Sequence, residues 1–271
     1  MSNVATAVSY AAVIDIGGTP IRILTDNDSF HRLVQNRYAG FLNSGSQAAA
    51  IELTIDLAPP GEISKREDVR VVRESACWSA ERLDFRLDWD SKTGCGKVRQ
   101  SANPYSLDSI LRILHTLVLA HQGGFLLHAS SAVRNGRAFL FFGPSGAGKT
   151  TIARLAPSDA ALLTDEISYV RKEQSGYFAH GTPFTGELGR SGENISAPIA
   201  GLYYLVQAPR NNLTALKPAE AVRVLLESVL FFAEDPELVA LVFQSACDLV
   251  SQLPVYKLEF ERDPSVWDML A

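Results

Sequence analysis

The chain has 271 residues, 46% of them hydrophobic and 20% charged, with a formal net charge of −5. That balance is ordinary for a soluble globular protein of one large domain or two modest ones, and it argues against a broad nucleic-acid or anionic-membrane surface. No apolar run approaches the roughly 18 residues of a membrane span, the start MSNVATAVSY lacks the pattern of a signal peptide, and Cys77, Cys95 and Cys247 are too scattered for a disulfide framework or a zinc site, so a cytoplasmic protein is expected.

To about Trp89 the chain reads as strand-rich. AAVIDI (Ala11–Ile16), IRILT (Ile21–Thr25), IELTIDLA (Ile51–Ala58) and RLDFRLDW (Arg82–Trp89) predict strands. The last alternates, with Leu83, Phe85, Leu87 and Trp89 on one face. DIGGT (Asp15–Thr19) resembles the phosphate-binding start of actin-like sugar kinases, but the rest of that fold is missing and Gly17-Gly18 reads as a hairpin turn. DSFHRLVQNRYAGF (Asp28–Phe41) predicts a helix capped by Asp28 or Ser29. The polar stretch DSKTGCGKVRQSANP (Asp90–Pro104) reads as a hinge or hairpin and as the domain boundary. It gives residues 1–100 as a smaller, strand-rich α+β domain that recognises substrate or partner. Residues 101–271 become the catalytic domain.

From Tyr105 an amphipathic helix is expected, with Leu107, Ile110, Leu111, Leu114, Leu117 and Val118 at three- and four-residue steps. Ser106 can cap it and Gly123-Gly124 stop it. FLLHASSAV (Phe125–Val133) and RAFLFF (Arg137–Phe142) follow as strands, and Asn135-Gly136 between them signals a short hairpin. Next comes GPSGAGKTT, Gly143–Thr151, which fills the pattern G-x-x-x-x-G-K-[ST]. In that pattern the small residues Gly143, Pro144, Ser145, Gly146, Ala147 and Gly148 let backbone N–H groups turn inward around phosphate oxygens. Lys149 reaches the β- and γ-phosphates, the Thr150 hydroxyl binds Mg²⁺, and Thr151 completes the run. KTTIARLA (Lys149–Ala156) has helix character, so its N-terminus faces the phosphates.

ALLTDEISYV (Ala161–Val170) then places Asp165 16 residues after Lys149. A strand joined to the loop by one short helix is expected to be its neighbour and to lift Asp165 and Glu166 toward it. One acidic group there can bind Mg²⁺ and the other can accept a proton from an attacking hydroxyl. Toward the end, one helix is expected from near Pro218 to about Phe232 and another from Asp235-Pro236 to about Leu249. VYKLEFE (Val255–Glu261) alternates as a final strand.

The run LLHASSAVRNGRAFLFFGPSGAGKTT…LLTDEISYV resembles the catalytic domain of HPr kinase/phosphorylase and the wider HPr-kinase-like group. The likeness covers roughly Ser106–Leu253 and is most specific between Leu126 and Val170. It implies an α/β P-loop kinase domain related to phosphoenolpyruvate carboxykinase. It also implies transfer of phosphate from ATP, with Mg²⁺, to a serine hydroxyl on a protein or peptide. Carried across, His128 matches the strand histidine, Gly143–Thr151 the nucleotide loop, Asp165 the catalytic base, and Glu166 the acidic neighbour that shares Mg²⁺ with Thr150. The signature centred on Glu-Ile-Arg-Gly is replaced here by HGTPFTGELGRSGEN (His180–Asn194), where Glu187 stands for the signature glutamate as a metal or substrate contact. That departure points away from HPr itself and from the reverse phosphorylase reaction, toward a divergent relative of the kind found beside peptide-modification genes. The resembled enzymes are hexameric, so a homo-oligomer is compatible with the likeness.

Several readings stay open. On the residues alone His128 is a satisfied core histidine, and only the resemblance gives it a role. His180 is expected in a loop, and Arg190 either reaches the transferred phosphate or is solvated. One rival is a small-molecule kinase of the same fold, which a closed pocket over Asp165 favours, as an open groove favours a peptide. Another is a nucleotide-dependent binding module without transfer. The missing LSGGQ-type signature argues against a transporter ATPase. Guanylate kinases carry the same loop at the chain start, whereas about 142 residues precede it here.

Overall fold

In the computed structural model of the protein, which describes residues 9–43, 49–59 and 62–270, the chain is mixed α/β. The stretch MSNVATAV, read above for a signal peptide, lies outside the described residues. The chain divides into two compact units. One holds the chain up to Ile113 together with Phe232–Asp235, and the other holds Leu114–Phe231 and the chain from Pro236 on. None of the described helices is long and apolar enough to cross a membrane.

The first unit opens with β1 (Tyr10–Ile16) and β2 (Thr19–Thr25), an antiparallel pair. Gly17 and Gly18 join them at φ 61° and 74°, the left-handed pair a two-residue hairpin demands, so DIGGT is a turn. α1 (Asp28–Arg37) is capped by Asn27, whose side chain accepts from the Phe30 N–H at 2.8 Å, one residue ahead of the expected Asp28. It ends at Arg37, and Ala39–Phe41 is a 3₁₀ turn rather than its continuation. β3 (Ile51–Leu57), β4 (Arg70–Glu74), β5 (Cys77–Arg82), β6 (Phe85–Asp90) and β7 (Cys95–Gln100) complete a sheet of order β1-β2-β3-β7-β6-β5-β4.

Two expectations are corrected here. Arg82–Trp89 is not one strand: the chain turns at Leu83-Asp84 between β5 and β6, leaving Leu83 exposed while Phe85, Leu87 and Trp89 are buried. Asp84 fixes the turn, because its carboxylate accepts from the Arg82 guanidinium and from the Ser106 hydroxyl, each at 2.7 Å. Asp90–Pro104 is not simply a hinge, since it contains β7, hydrogen-bonded between β3 and β6. The buried Gly96, Val98 and Gln100 alternate with exposed Cys95, Lys97 and Arg99, and the polar outer face disguised the strand.

α2 (Pro104–His121) begins after Asn103, whose side-chain oxygen accepts the Tyr105 and Ser106 N–H groups at 2.9 and 3.0 Å. Asn103 is therefore its cap, not Ser106. The boundary between the units falls inside this helix. On the first unit's share, buried Asp108 accepts from the Arg37 guanidinium at 2.6 Å and from the Tyr38 hydroxyl at 2.7 Å, tying α1 to α2.

The second unit contains the expected hairpin of β8 (Phe125–Arg134) and β9 (Arg137–Phe142), with Asn135 and Gly136 at φ 53° and 73°. α3 (Lys149–Arg154), β10 (Ala161–Thr164), β11 (Ile167–Glu173), β12 (Gly176–His180) and β13 (Ser196–Gln207) follow. β14 (Asn212–Ala215), α4 (Pro218–Leu226), β15 (Val229–Leu230), α5 (Pro236–Gln252) and β16 (Val255–Phe260) complete the elements, with a closing 3₁₀ turn over Pro264–Met269. α4 stops short of the expected Phe232 because Val229 and Leu230 pair with β8. β10 and β11 run in succession along β8, with Leu162 opposite Ala132 and Ile167 opposite His128. The strand after α3 is thus not the neighbour of β9. β9 pairs with β8 and β13 instead, the hairpin having filled the edge that β10 was expected to take. β13 is parallel to both β9 and β16, so all three end on the same side. The pairings β8–β11–β12–β13–β9 and back to β8 form a closed circuit.

His115, on the second unit's share of α2, is fully buried and edge-on to Tyr169, the ring centroids 5.4 Å apart. Burial lowers its pKa from 6.5 to about 3. The unfolded chain accepts a proton that the folded protein refuses until far lower pH. Stability is therefore intact above the unfolded pKa and falls through the window below it, by about 1.4 kcal/mol per pH unit. His115→Leu is expected to hold its melting temperature better than the parent between about pH 6.5 and pH 4. Parallel calorimetric pH profiles for the two proteins would show that another group titrates.

Candidate functional site

β9 ends in buried Phe141 and Phe142, and the chain leaves the sheet at Gly143. Between there and α3 the backbone passes through positive φ at Gly143, Gly146 and Gly148. Gly148 is doubly constrained, because a Cβ there would also lie 2.6 Å from the Phe260 ring. Two side chains fasten the loop. Gln207 Nε2, at the end of β13, donates to the Gly146 carbonyl at 2.6 Å, and Ser130 Oγ, on β8, donates to the Lys149 carbonyl at 3.0 Å. The Lys149 side chain folds back onto this loop, its Nζ donating to the carbonyls of Gly143 and Pro144 at 3.0 and 3.2 Å. Burial lowers the Lys149 pKa, and the nearby Glu187 carboxylate partly opposes that.

The acidic pair sits where one strand hands over to the next. β10 leaves β8 at Thr164 and β11 joins it at Ile167. The Thr164 hydroxyl accepts the N–H groups of Glu166 and Ile167, both at 3.1 Å, which stabilises the kink. Asp165 is only 3% exposed. Its Oδ1 accepts the Gly186 N–H at 2.9 Å and its Oδ2 the Leu188 N–H at 2.8 Å. The segment carrying those amides is stitched to β10: Thr182 N–H donates to the Leu163 carbonyl at 3.0 Å and Glu193 N–H to that of Leu162 at 2.9 Å. Gly186 has no room for a side chain, since a Cβ would lie 2.9 Å from Asp165 Oδ2.

A cavity of about 310 Å³ opens over these groups. It gathers His128, Ser145, Gly146, Gly148, Lys149, Thr150, Thr151, Asp165, Glu166 and Glu187, all singled out in the sequence. Gly143, Pro144 and Ala147 belong to the loop without lining the cavity. His128 is exposed between buried Leu127 and Ala129, so it is not a core histidine. His180 is elsewhere: it ends β12 rather than lying in a loop, is buried, and has Nε2 3.2 Å from Glu173 Oε1. Arg190 is exposed and does not line the cavity. Gly186, Gln207 and Arg262 line it unannounced. Gln207 merely closes a long apolar run and Arg262 follows the last strand, so neither stands in a motif.

Together the fold and the cavity define a mixed α/β protein in which a glycine-rich loop, a buried lysine and an acidic pair converge. Residues 99–270 match the family described as SynChlorMet cassette protein ScmC, and the chain belongs to that family. No curated protein matches it.

The two amide contacts make Asp165 a fastening as well as an acid. Asp165→Asn replaces one accepting oxygen by an NH₂ group, and losing a hydrogen bond to a charged group costs about 1.5–3 kcal/mol. Hydrogen–deuterium exchange at Gly186 and Leu188 is expected to speed up by about tenfold or more. Unchanged protection would mean that the contacts to β10 alone hold the segment.

Proposed function

We propose that the protein is an ATP-dependent kinase that transfers the γ-phosphoryl group to a hydroxyl, with a serine of a protein or peptide as acceptor. The observation that carries this reading is the meeting of Lys149 and Thr150 with Asp165 and Glu166 in one cavity. In this reading the residues from about 101 on are a P-loop kinase domain of the HPr kinase and phosphoenolpyruvate carboxykinase type, and the strand-rich residues before them recognise the substrate or partner.

Lys149 exchanges its two loop carbonyls for the β- and γ-phosphate oxygens, and the loop N–H groups cradle the chain. Thr150, Glu166 and Glu187 supply hard oxygen donors of the kind Mg²⁺ takes. Among the described residues no three acidic, imidazole or thiol groups converge into a complete cage. A nucleotide-bound Mg²⁺ needs only one or two carboxylates besides phosphates and waters. When bound, Mg²⁺ supplies charge neutralisation at the phosphates. Asp165 gives one lone pair of each oxygen to an amide and keeps others for the substrate. It takes the acceptor's hydroxyl proton as that oxygen bonds to the γ-phosphorus. The bond from γ-phosphorus to the β–γ bridging oxygen breaks, and ADP leaves with the electron pair. His128, exposed at the cavity, is poised to contact the phosphate or orient Asp165.

The burial of Asp165 beneath Gly186 and Leu188 favours a second reading, in which the acceptor is a small hydroxyl compound such as a free amino acid or metabolite. Labelled-ATP transfer to candidate peptides and to small hydroxyl compounds, with mass spectrometry to locate the phosphate, separates the two. Lys149→Ala is expected to weaken ATP binding by about tenfold or more and to lower transfer by at least about a hundredfold. Unchanged turnover in that variant would overturn the kinase reading.

A further inference from the structure

We propose that Arg262 is a nucleotide-binding residue that closes the nucleoside end of the cavity, an inference that rests on the kinase reading and adds a residue which that reading leaves idle. Arg262 lies on a short strap after β16 whose backbone is fastened at both ends. At the near end, Phe260 lies against Gly148, and its carbonyl accepts the Ala208 N–H at 3.0 Å. The next residue, Glu261, donates its N–H to the Asn211 side chain at 2.9 Å. At the far end, Asp263 caps the closing turn through the Ser265 N–H at 2.9 Å, and Trp267 Nε1 donates to the Ile152 carbonyl of α3 at 3.1 Å. The strap thus runs beside residues 148–152, with Arg262 between its two anchors. Its side chain is exposed, lines the cavity and makes no ion pair among the described residues.

The sheet decides which part of a nucleotide this arginine meets. Across it the order is β8, β9, β13, β16. The glycine-rich loop leaves the end of β9. His128 and the acidic pair stand on the β8 side of it, and Gln207 and Arg262 on the β13 and β16 side. Neighbouring strands are about 4.8 Å apart, so β8 and β16, three strands apart on a curved sheet, are separated by at most roughly 14 Å. With the reacting γ-phosphate beside Asp165, the nucleoside leaves on the other side, toward Arg262. A planar guanidinium with no carboxylate to neutralise it suits the face of a base there.

The test is titration calorimetry on the full chain with Mg-ATP and with inorganic tripolyphosphate. Arg262→Gln, at an exposed position, is expected to weaken ATP by about fivefold to thirtyfold and to leave tripolyphosphate within about twofold. Equal losses for both ligands would overturn the assignment to the nucleoside end. Unchanged ATP affinity in the variant, with the parent binding ATP, would overturn the role of Arg262 and leave the kinase reading standing. A parent chain that binds no ATP would overturn both.

Discussion

The cavity depends on one constraint, the need of β8 to satisfy its backbone hydrogen-bonding groups along both edges while seven of its ten residues are buried. No single strand does this on either side. One edge is covered by β10 and then β11, the other by β9 and then β15. Both handovers occur at nearly the same level. On the first edge the ladder breaks between Thr164 and Ile167, releasing Asp165 and Glu166. On the second, Phe142 is the last residue of β9, opposite Ala129, and β15 resumes opposite Leu127. The acidic pair and the start of the glycine-rich loop therefore leave the sheet beside the same short piece of β8, and His128 is the one residue of that piece turned outward.

Buried polar groups hold this arrangement, each with a partner. Ser168 donates to the Ala129 carbonyl at 3.0 Å and shares a hydrogen bond with the Ser131 hydroxyl at 2.9 Å, and Thr182 donates to the Ile167 carbonyl at 2.8 Å. With Ser130 on the Lys149 carbonyl, they connect β8, β11, the start of α3 and the segment after β12. Such groups are costly to bury alone and stabilising when satisfied, so they favour one register of these pieces over its alternatives.

The sequence announced what is local. Asn135-Gly136 can adopt left-handed conformations at little cost, so the β8–β9 hairpin was legible, and the glycines and Lys149 of the loop carry their geometry within nine residues. The three- and four-residue spacing from Leu107 to Val118 likewise marked α2. What was not legible depends on tertiary pairing. β12 and β13 were missed because β12 is only five residues long and β13 is an apolar run without alternation, interrupted by Pro198 and Gly201. The strand leading to Asp165 pairs with β8 and not with β9, because proximity in sequence says nothing about an edge already taken, although the acidic pair does reach the loop's cavity. The hold of Gly186 and Leu188 on Asp165 runs through backbone N–H groups, which every residue but proline carries, so no residue type could signal it. Gln207 and Arg262 reach the cavity only through the parallel pairing of β9, β13 and β16.

The way the chain threads between its two units has a consequence for synthesis. Phe232–Asp235 belongs to the first unit although its flanks belong to the second. Within that unit Ala233 bridges to Val71 on the outer strand β4, and Asp235 lies 3.5 Å from Arg73. A ribosome releasing this chain has delivered most of the second unit before it supplies the last piece of the first. The N-terminal sheet therefore lacks its Ala233 bridge at Val71 until more than half the protein has been made. An open strand edge is a template for unwanted pairing, so β4 is least guarded during that interval.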